Sequence, residues 1–257
     1  TIIRSRDNPR VKRWAKLAAD ASFRRSAKRA IVEGPRLVAE ALQAGLRPHA
    51  LIVSEAGLKR PEIRALIGES EPVVLADRIF GIVADAETPP GIAAEIAIPE
   101  GNADPESPSV FLEGVQDPGN VGAILRSAAA FGVGEVVLDR ACADPWSPKV
   151  LRAAMGGHFK LALRQVADLA KDLERFLGTI ICTVSREGTP LSKSELKGRL
   201  GWIFGAEGKG VSDGLARRAA VKVTIPMSPG TESINVAAAA AICLYEDYAR
   251  KNSGSGS

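Results

Sequence analysis

The sequence predicts an α/β protein in two parts: a small α/β domain over residues 1–100, then a domain over 109–252 built on a mostly parallel sheet. Three observations carry this. Beyond residue 108, six short apolar runs alternate with helical patterns, and parallel neighbours need a crossover between them. A shorter series of the same kind fills the first hundred residues. Between the two, IPEGNADPESPS (98–109) holds three prolines and three acids without periodicity, so 101–108 reads as a linker.

In the first part the patterns predict a helix over 9–19, a strand over 30–34 and a helix over 35–44. Gly34-Pro35 marks that helix start, because proline at the first helical position loses no intrahelical bond. A strand at 50–54, a helix at 61–67, a strand at 72–76, a helix at 77–84 and a strand at 92–98 follow. In the second part the strand candidates are 109–115, 135–139, HFKLAL (158–163), 178–184, 201–205 and 220–225. NVGAILRSAAAFG and VADLAKDLERFL are helical patterns between them. No internal repeat is visible. The tail SGSGS (253–257) reads as a tag remnant outside the fold.

Composition excludes several classes. No apolar run reaches the ~20 residues needed to cross a bilayer, and TIIRSRDNPRVKRW lacks a secretory apolar core. Cys142, Cys182 and Cys243 have no metal-ligand spacing, and so sparse, odd a set suits core filling in a reducing cytoplasm. With His49 and His158 the only histidines, a multi-histidine metal centre is excluded and no metal is expected.

The net charge of +4 hides an asymmetry: residues 1–50 carry 12 Lys/Arg against 4 Asp/Glu, a balance of +8. Arg4, Arg10, Lys12, Arg13, Arg24, Arg25, Lys28 and Arg29 are the leading candidates for contact with a polyanion. A solvated helix face is the bland alternative. So one-sided a field attracts nucleic acid and weakens with salt.

Ligands on parallel sheets bind beyond the carboxyl ends of strands, and three such ends stand out. EGVQDPGNVGAILRSAAAFG (113–132) breaks at Asp117-Pro118-Gly119, where Asn120 can cap a helix. Arg126 sits among small and apolar residues and needs either a phosphate or ribose contact or a structural ion pair, since burying it unpaired costs several kcal/mol. In WIFGAEGKGVS (202–212), Gly205, Gly208 and Gly210 follow an apolar strand, but the spacing is neither a dinucleotide nor a Walker loop. Glu207 argues against a phosphate there and suits a ligand bearing positive charge or hydroxyls. PMSPGTESINVAAAAAICLY (226–245) runs a polar knuckle into five alanines, with Ser233 and Asn235 near the helix start. One residue would suffice as a cap, and the alanine run is strongly helical and slim.

Asn-x-Gly-Ala with a downstream Arg, Phe-Gly-x-Glu-Gly-x-Gly, and Ile-Pro-Met with a following Ser-x-Asn-Val, in that order, resemble the three motifs of the SpoU (TrmH) family, RNA ribose 2'-O-methyltransferases of the SPOUT class. The likeness spans roughly 110–250. The RAIVEGPRLVAEAL stretch is more loosely similar to the ribosomal-protein-like RNA-binding domain that precedes it in many members. The resemblance implies a deep trefoil knot, S-adenosyl-L-methionine bound in bent form within it, and a homodimer with the site near the dimer interface. Gly205, Ile225 and Ile234 would hold the cofactor through backbone groups, with Met227 and Thr183 completing an adenine pocket; Ile234 stands where the family often has leucine. Asn120, Arg126, Glu207, Ser233 and Asn235 match the polar active-site set, and Lys149 and Arg152 fall where further RNA contacts lie. The family proposal makes Arg126 the base. Guanidinium is effectively always protonated, so the reading taken here gives Arg126 the neighbouring phosphate and the developing alkoxide, with Asn120 positioning it. Large-subunit (23S) ribosomal RNA is favoured as substrate and transfer RNA is possible.

Two other classes stay open at this stage. A non-catalytic RNA-binding or ribosome assembly factor would not need the intact polar set. A metabolic enzyme of Rossmann type would need its glycine fingerprint after the first strand, and EGVQDPGNVG is not that.

Overall fold

Asn8 and Pro9 start the first helix together: Asn8 Oδ1 accepts from Arg10 N at 2.9 Å while Pro9 occupies a position that needs no donor. The structure is a computed structural model and describes residues 1–101 and 103–253. Asn102 of the linker and positions 254–257 of the terminal tail lie outside the described residues. The chain runs β1 (Ile2–Ile3), α1 (Pro9–Ala19), α2 (Ala21–Ala27), β2 (Arg29–Glu33), α3 (Pro35–Gln43), β3 (Ala50–Ser54), α4 (Pro61–Ile67), β4 (Val73–Leu75), α5 (Asp77–Val83) and β5 (Ile92–Ala97). It continues with β6 (Ser109–Glu113), α6 (Pro118–Ala130), β7 (Glu135–Asp139), α7 (Pro148–Ala154), β8 (Ala162–Val166), α8 (Leu169–Arg175), β9 (Thr179–Thr183), β10 (Thr189–Pro190), β11 (Leu200–Gly205), α9 (Asp213–Ala216), β12 (Val221–Thr224) and α10 (Val236–Ser253). It divides into two compact units: Thr1–Pro99 with Asp144–Phe159, and Glu100–Ala143 with the chain from Lys160 on.

The first unit carries a five-stranded mixed sheet in the order β1-β4-β3-β5-β2. Val11, Trp14 and Leu17 recur at helical spacing on α1 and pack with Ile31, Ile52, Leu75 and Phe80. Burying Glu95 inside this core is possible because both its oxygens are bound, one by the Trp14 indole N–H at 2.8 Å and the other by Arg13 at 2.7 Å. Helix α2 was not expected from periodicity; it forms because Asp20, which ends α1, also accepts from Phe23 N at 3.0 Å.

The segment Asp144–Phe159 joins this unit through two arginines, and Arg24 corrects the sequence reading. Arg24 is only 3% exposed. Its guanidinium bonds Asp144 Oδ2 at 2.7 Å and donates to the Leu17 and Ala18 carbonyls at 2.6 and 2.8 Å. It is committed to the fold and does not present itself to RNA. Arg152 bonds Asp85 at 2.8 Å and Glu33 at 3.4 Å, so its charge is matched by two carboxylates. Burial pushes the Glu33 carboxyl above its usual range, and the backbone N–H of Asp85 and the Arg152 guanidinium pull the other way. His158 is buried with Nε2 on the Pro145 carbonyl at 2.5 Å, and burial lowers its pKa to about 4.

The second unit carries a seven-stranded, wholly parallel sheet in the order β10-β12-β9-β11-β6-β7-β8. The strand expected at 158–163 starts later: Gly157–Lys160 form a 3-10 turn, and Ala162 is the first residue to pair, with Glu135. Helix α10 buries Ala237, Ala240, Cys243 and Leu244 and packs along α6, whose Val121, Leu125 and Ala128 are buried. The alanines are small because two helices approach closely there. Among the described residues no helix is long and apolar enough to cross a membrane, and no group of side chains could hold a metal ion.

Arg24→Ala removes one partner of a buried, multiply bonded ion pair. The expected loss is about 3–5 kcal/mol of stability, read as a lowered urea midpoint by the fluorescence of Trp14 and Trp146. An unchanged midpoint with weakened RNA binding would return Arg24 to the RNA-contacting set.

Candidate active site

The three strand ends singled out in the sequence meet in the second unit. The backbone beyond β9, β11 and β12 encloses a cleft of about 730 Å³. Thr183, Gly205, Ile225, Met227 and Ile234 all line it, as do Glu207, Ser233 and Asn235.

The β11 end explains its glycines. The chain turns back so that Gly210 N donates to Ala206 O at 2.8 Å, with Gly208 and Gly210 at φ +81° and +69°. A Cβ on Gly205 would collide with the backbone of Gly210 and Val211. The loop is therefore folded against its own strand, which leaves the Gly205 backbone bare at the cleft wall. Glu113 anchors the far side of this loop by accepting from Ser212 N at 2.7 Å. The β9 end is held by Thr183 Oγ1 on the Ile203 carbonyl at 3.1 Å and by Thr224 Oγ1 on the Ser185 carbonyl at 3.2 Å.

A side-chain relay ties the loops together. Asn235 caps α10, its Oδ1 accepting from Ala237 N at 2.8 Å and Ala238 N at 3.2 Å. Its Nδ2 must then face outward, and it donates to Asn120 Oδ1 at 2.8 Å. This in turn directs Asn120 Nδ2 to Glu207, which accepts at 2.6 Å. Asn120 is itself seated because Asp117 caps α6, accepting from Asn120 N at 2.8 Å. Ser233 is exposed at the cleft and takes no part in the relay.

Arg126 is exposed on α6, with no hydrogen bond or ion pair among the described residues. The structural ion pair weighed for it is absent among them. The expectation that Asn120 positions Arg126 is corrected: residues six apart point roughly 120° away from each other round a helix, and the Asn120 amide is taken by Glu207 and Asn235.

Sequence reasoning missed Arg186, Lys209 and Glu232, which also line the cleft. The rule that ligands gather beyond strand ends could have found Arg186, three residues past β9. All three cysteines are buried; burial pushes the Cys182 and Cys243 thiols up to about 11 and about 12, so neither is a nucleophile.

The basic candidates in the first unit separate into two groups. Arg4 pairs with Glu55 at 2.7 Å, Lys12 with Asp7 at 2.9 Å and Arg13 with Glu95 at 2.7 Å. Arg10 lies over the Trp14 ring at 5.2 Å, and Arg25 and Lys149 are exposed; none of these three has an ion pair among the described residues. Lys28 ends α2 in the left-handed region at φ 50°, and Arg29 is half-buried in β2.

Residues 107–245 match the family model described as SpoU rRNA Methylase family, and residues 8–94 match the MRM3-like substrate binding domain. The chain is 31% identical over 246 residues to the 23S rRNA (guanosine(2553)-2'-O)-methyltransferase RlmP of Bacillus subtilis, covering 95% of this chain and 97% of that protein. It is 28% identical over 295 residues to rRNA methyltransferase 3A, mitochondrial, of Danio rerio, covering 92% of this chain and 67% of that protein. A crystal structure of an RNA 2'-O ribose methyltransferase superposes with a TM-score of 0.81 at 27% identity, over 98% of this chain and 99% of that one. The SpoU methyltransferase AviRb of Streptomyces viridochromogenes, solved with AdoMet, shares the fold with a TM-score of 0.86 at 23% identity, over 96% of this chain and 99% of that one. Two motif-bearing strand ends line one cleft and the third is tied to it through Asn120, and the family model spans more than half of the sequence: the chain belongs to the SpoU rRNA methylase family.

Proposed function

We propose that the protein transfers a methyl group from S-adenosyl-L-methionine to a ribose 2'-oxygen of RNA, with large-subunit ribosomal RNA as the substrate. The observation that carries this is the convergence of Asn120, Glu207 and Asn235 in one hydrogen-bonded relay at the edge of the cleft. The full-length similarity to a 23S rRNA 2'-O-methyltransferase supports it.

The cleft suits that cofactor. Its volume of about 730 Å³ lies in the range of roughly 300–1,000 Å³ usual for small-molecule sites. Its lining offers the bare Gly205 backbone, two carboxylates (Glu207 and Glu232) and two cations (Arg186 and Lys209), which match a ligand carrying an ammonium, a sulfonium and a carboxylate. Gly205, Ile225 and Ile234 would hold it through backbone groups, with Thr183 and Met227 beside the adenine. When bound it supplies an electrophilic methyl group. The chain's own work is orientation, which can lower a barrier by ~7–11 kcal/mol in favourable cases. The relay holds the loops that carry these groups in one arrangement. Arg126 grips the phosphate next to the target ribose and stabilises the developing alkoxide. Ser233 lies beside the cofactor or ribose.

RNA is held by the first unit's cations, with Arg10, Arg25 and Lys149 the least compensated. Phosphate contacts set affinity and its salt dependence, and recognition rests on RNA shape and unpaired bases. In this reading the domain division is 1–100, a linker at 101–108 and a catalytic domain at 109–252, the C-terminal segment threads a knot around the cofactor, and the protein works in the cytoplasm. It works as a homodimer. The support is a stripe on α10, where Ile242, Tyr245 and Tyr248 are 42%, 57% and 43% exposed at a spacing of three residues. Phe131 packs edge-on to Tyr245 with ring centroids 5.7 Å apart, extending the patch. A second copy would cover it.

Incubating the protein with a methyl-labelled donor and ribosomal RNA should give a 2'-O-methylated nucleoside on digestion; label only on bases would refute the reading. In the same assay Arg126→Ala should cut turnover by roughly 10²–10³-fold and leave donor affinity by calorimetry within about threefold. Equal loss of both would move Arg126 into the cofactor site. Tyr245→Glu should shift sedimentation from dimer to monomer; an unchanged dimer would place the interface elsewhere.

A further inference from the structure

We propose that Glu207 is the group that takes the proton from the ribose 2'-hydroxyl, an inference that rests on the methyl-transfer reading above.

Two lines of observation lead there. The first is elimination. Among the described residues lining the cleft there is no histidine; Arg186 and Lys209 are cations and the remaining polar groups are hydroxyls and amides. Arg126 is a guanidinium and cannot accept a proton at neutral pH. The acceptors left are the carboxylates of Glu207 and Glu232.

The second is geometry. Glu232 lies on the loop before α10 and makes no side-chain hydrogen bond or ion pair among the described residues. Glu207 is held. Its loop is clamped by the Ala206–Gly210 bridge, and its Oε1 accepts from Asn120 Nδ2 at 2.6 Å. The helix N–H groups of Ala237 and Ala238 fix the orientation of Asn235, which fixes Asn120. Only a group that accepts can therefore sit opposite Asn120. Glu207 Oε2 has no hydrogen bond among the described residues. One oxygen positions the carboxylate and the other is left for a substrate hydroxyl at the cleft.

The step balances. A lone pair of the 2'-oxygen forms the new bond to the methyl carbon as the carbon–sulfur bond breaks. Sulfur keeps that electron pair and becomes a neutral thioether. The hydroxyl proton passes to Glu207 Oε2 and leaves to water after product release. Arg126 stabilises the oxygen's charge without exchanging a proton.

Glu207→Gln separates this role from a purely positioning one. Glutamine Oε1 still accepts from Asn120, so the relay survives, but the side chain no longer takes a proton. The single-turnover rate should fall roughly 10²–10⁴-fold, while S-adenosylmethionine and RNA affinities by calorimetry stay within about threefold of wild type. Glu207→Ala should lose the rate and also weaken donor binding, because the tie to Asn120 goes with it. A Glu207→Gln enzyme within about tenfold of wild-type rate overturns the proposal and leaves the methyl-transfer reading intact. So does a parallel loss of donor affinity, or a comparable loss of rate in Glu232→Gln instead. A wild-type protein that binds no donor and methylates no RNA overturns both.

Discussion

The active-site end of the sheet depends on how the first turn of α10 is satisfied. A helix start leaves backbone N–H groups without partners. Asn235 meets two of them with its carbonyl oxygen, which leaves its amide nitrogen with one direction to donate. Asn120 receives that hydrogen and passes the constraint to Glu207. Three loops, which follow β6, β11 and β12, are thus locked by one orientation. A parallel sheet sets these strand ends side by side, but it does not set the loops beyond them. The relay does, and it does so at the edge of the cleft.

The two units use charge differently. The first has 18 Lys/Arg against 13 Asp/Glu, and several of these cations turn inward or are matched: Arg24 to Asp144, Arg13 to Glu95, Arg152 to Glu33 and Asp85. Only the uncompensated remainder can attract a polyanion. The second gathers both signs in one cleft, which suits a zwitterionic ligand better than a phosphate chain. Net charge alone therefore does not say which of the first unit's cations are unpaired, and glycine spacing alone does not show that Gly205 walls the cleft of the second.

Punctuation by proline, glycine and capping residues was legible in the sequence. Gly34-Pro35 begins a helix where local chemistry says one should, whereas α6 starts at Pro118 with Asp117 rather than Asn120 as its cap. The three functional strand ends were legible for the same reason, since apolar runs broken by glycine and polar residues mark both strand and loop. HFKLAL was not, because its alternation continues through a 3-10 turn at Gly157–Lys160, and the strand begins only at Ala162. The grouping of 144–159 with the first unit was equally hidden: it rests on Arg24–Asp144, a pair 120 residues apart that no local pattern encodes. The partners of Asn120 were hidden too. Asn120, Glu207 and Asn235 were all visible as candidates, yet their pairing depends on strand order, which local periodicity does not give.

The relay is tested most directly by a double-mutant cycle on donor affinity, using Asn235→Ala, Glu207→Ala and the pair. Among the described residues the two side chains share only Asn120 as a partner. If Asn120 transmits orientation between them, the losses should fall short of additivity by about 1–2 kcal/mol, within the range seen for residues of one network. Strictly additive losses would mean that each loop is ordered on its own and that the relay constrains nothing.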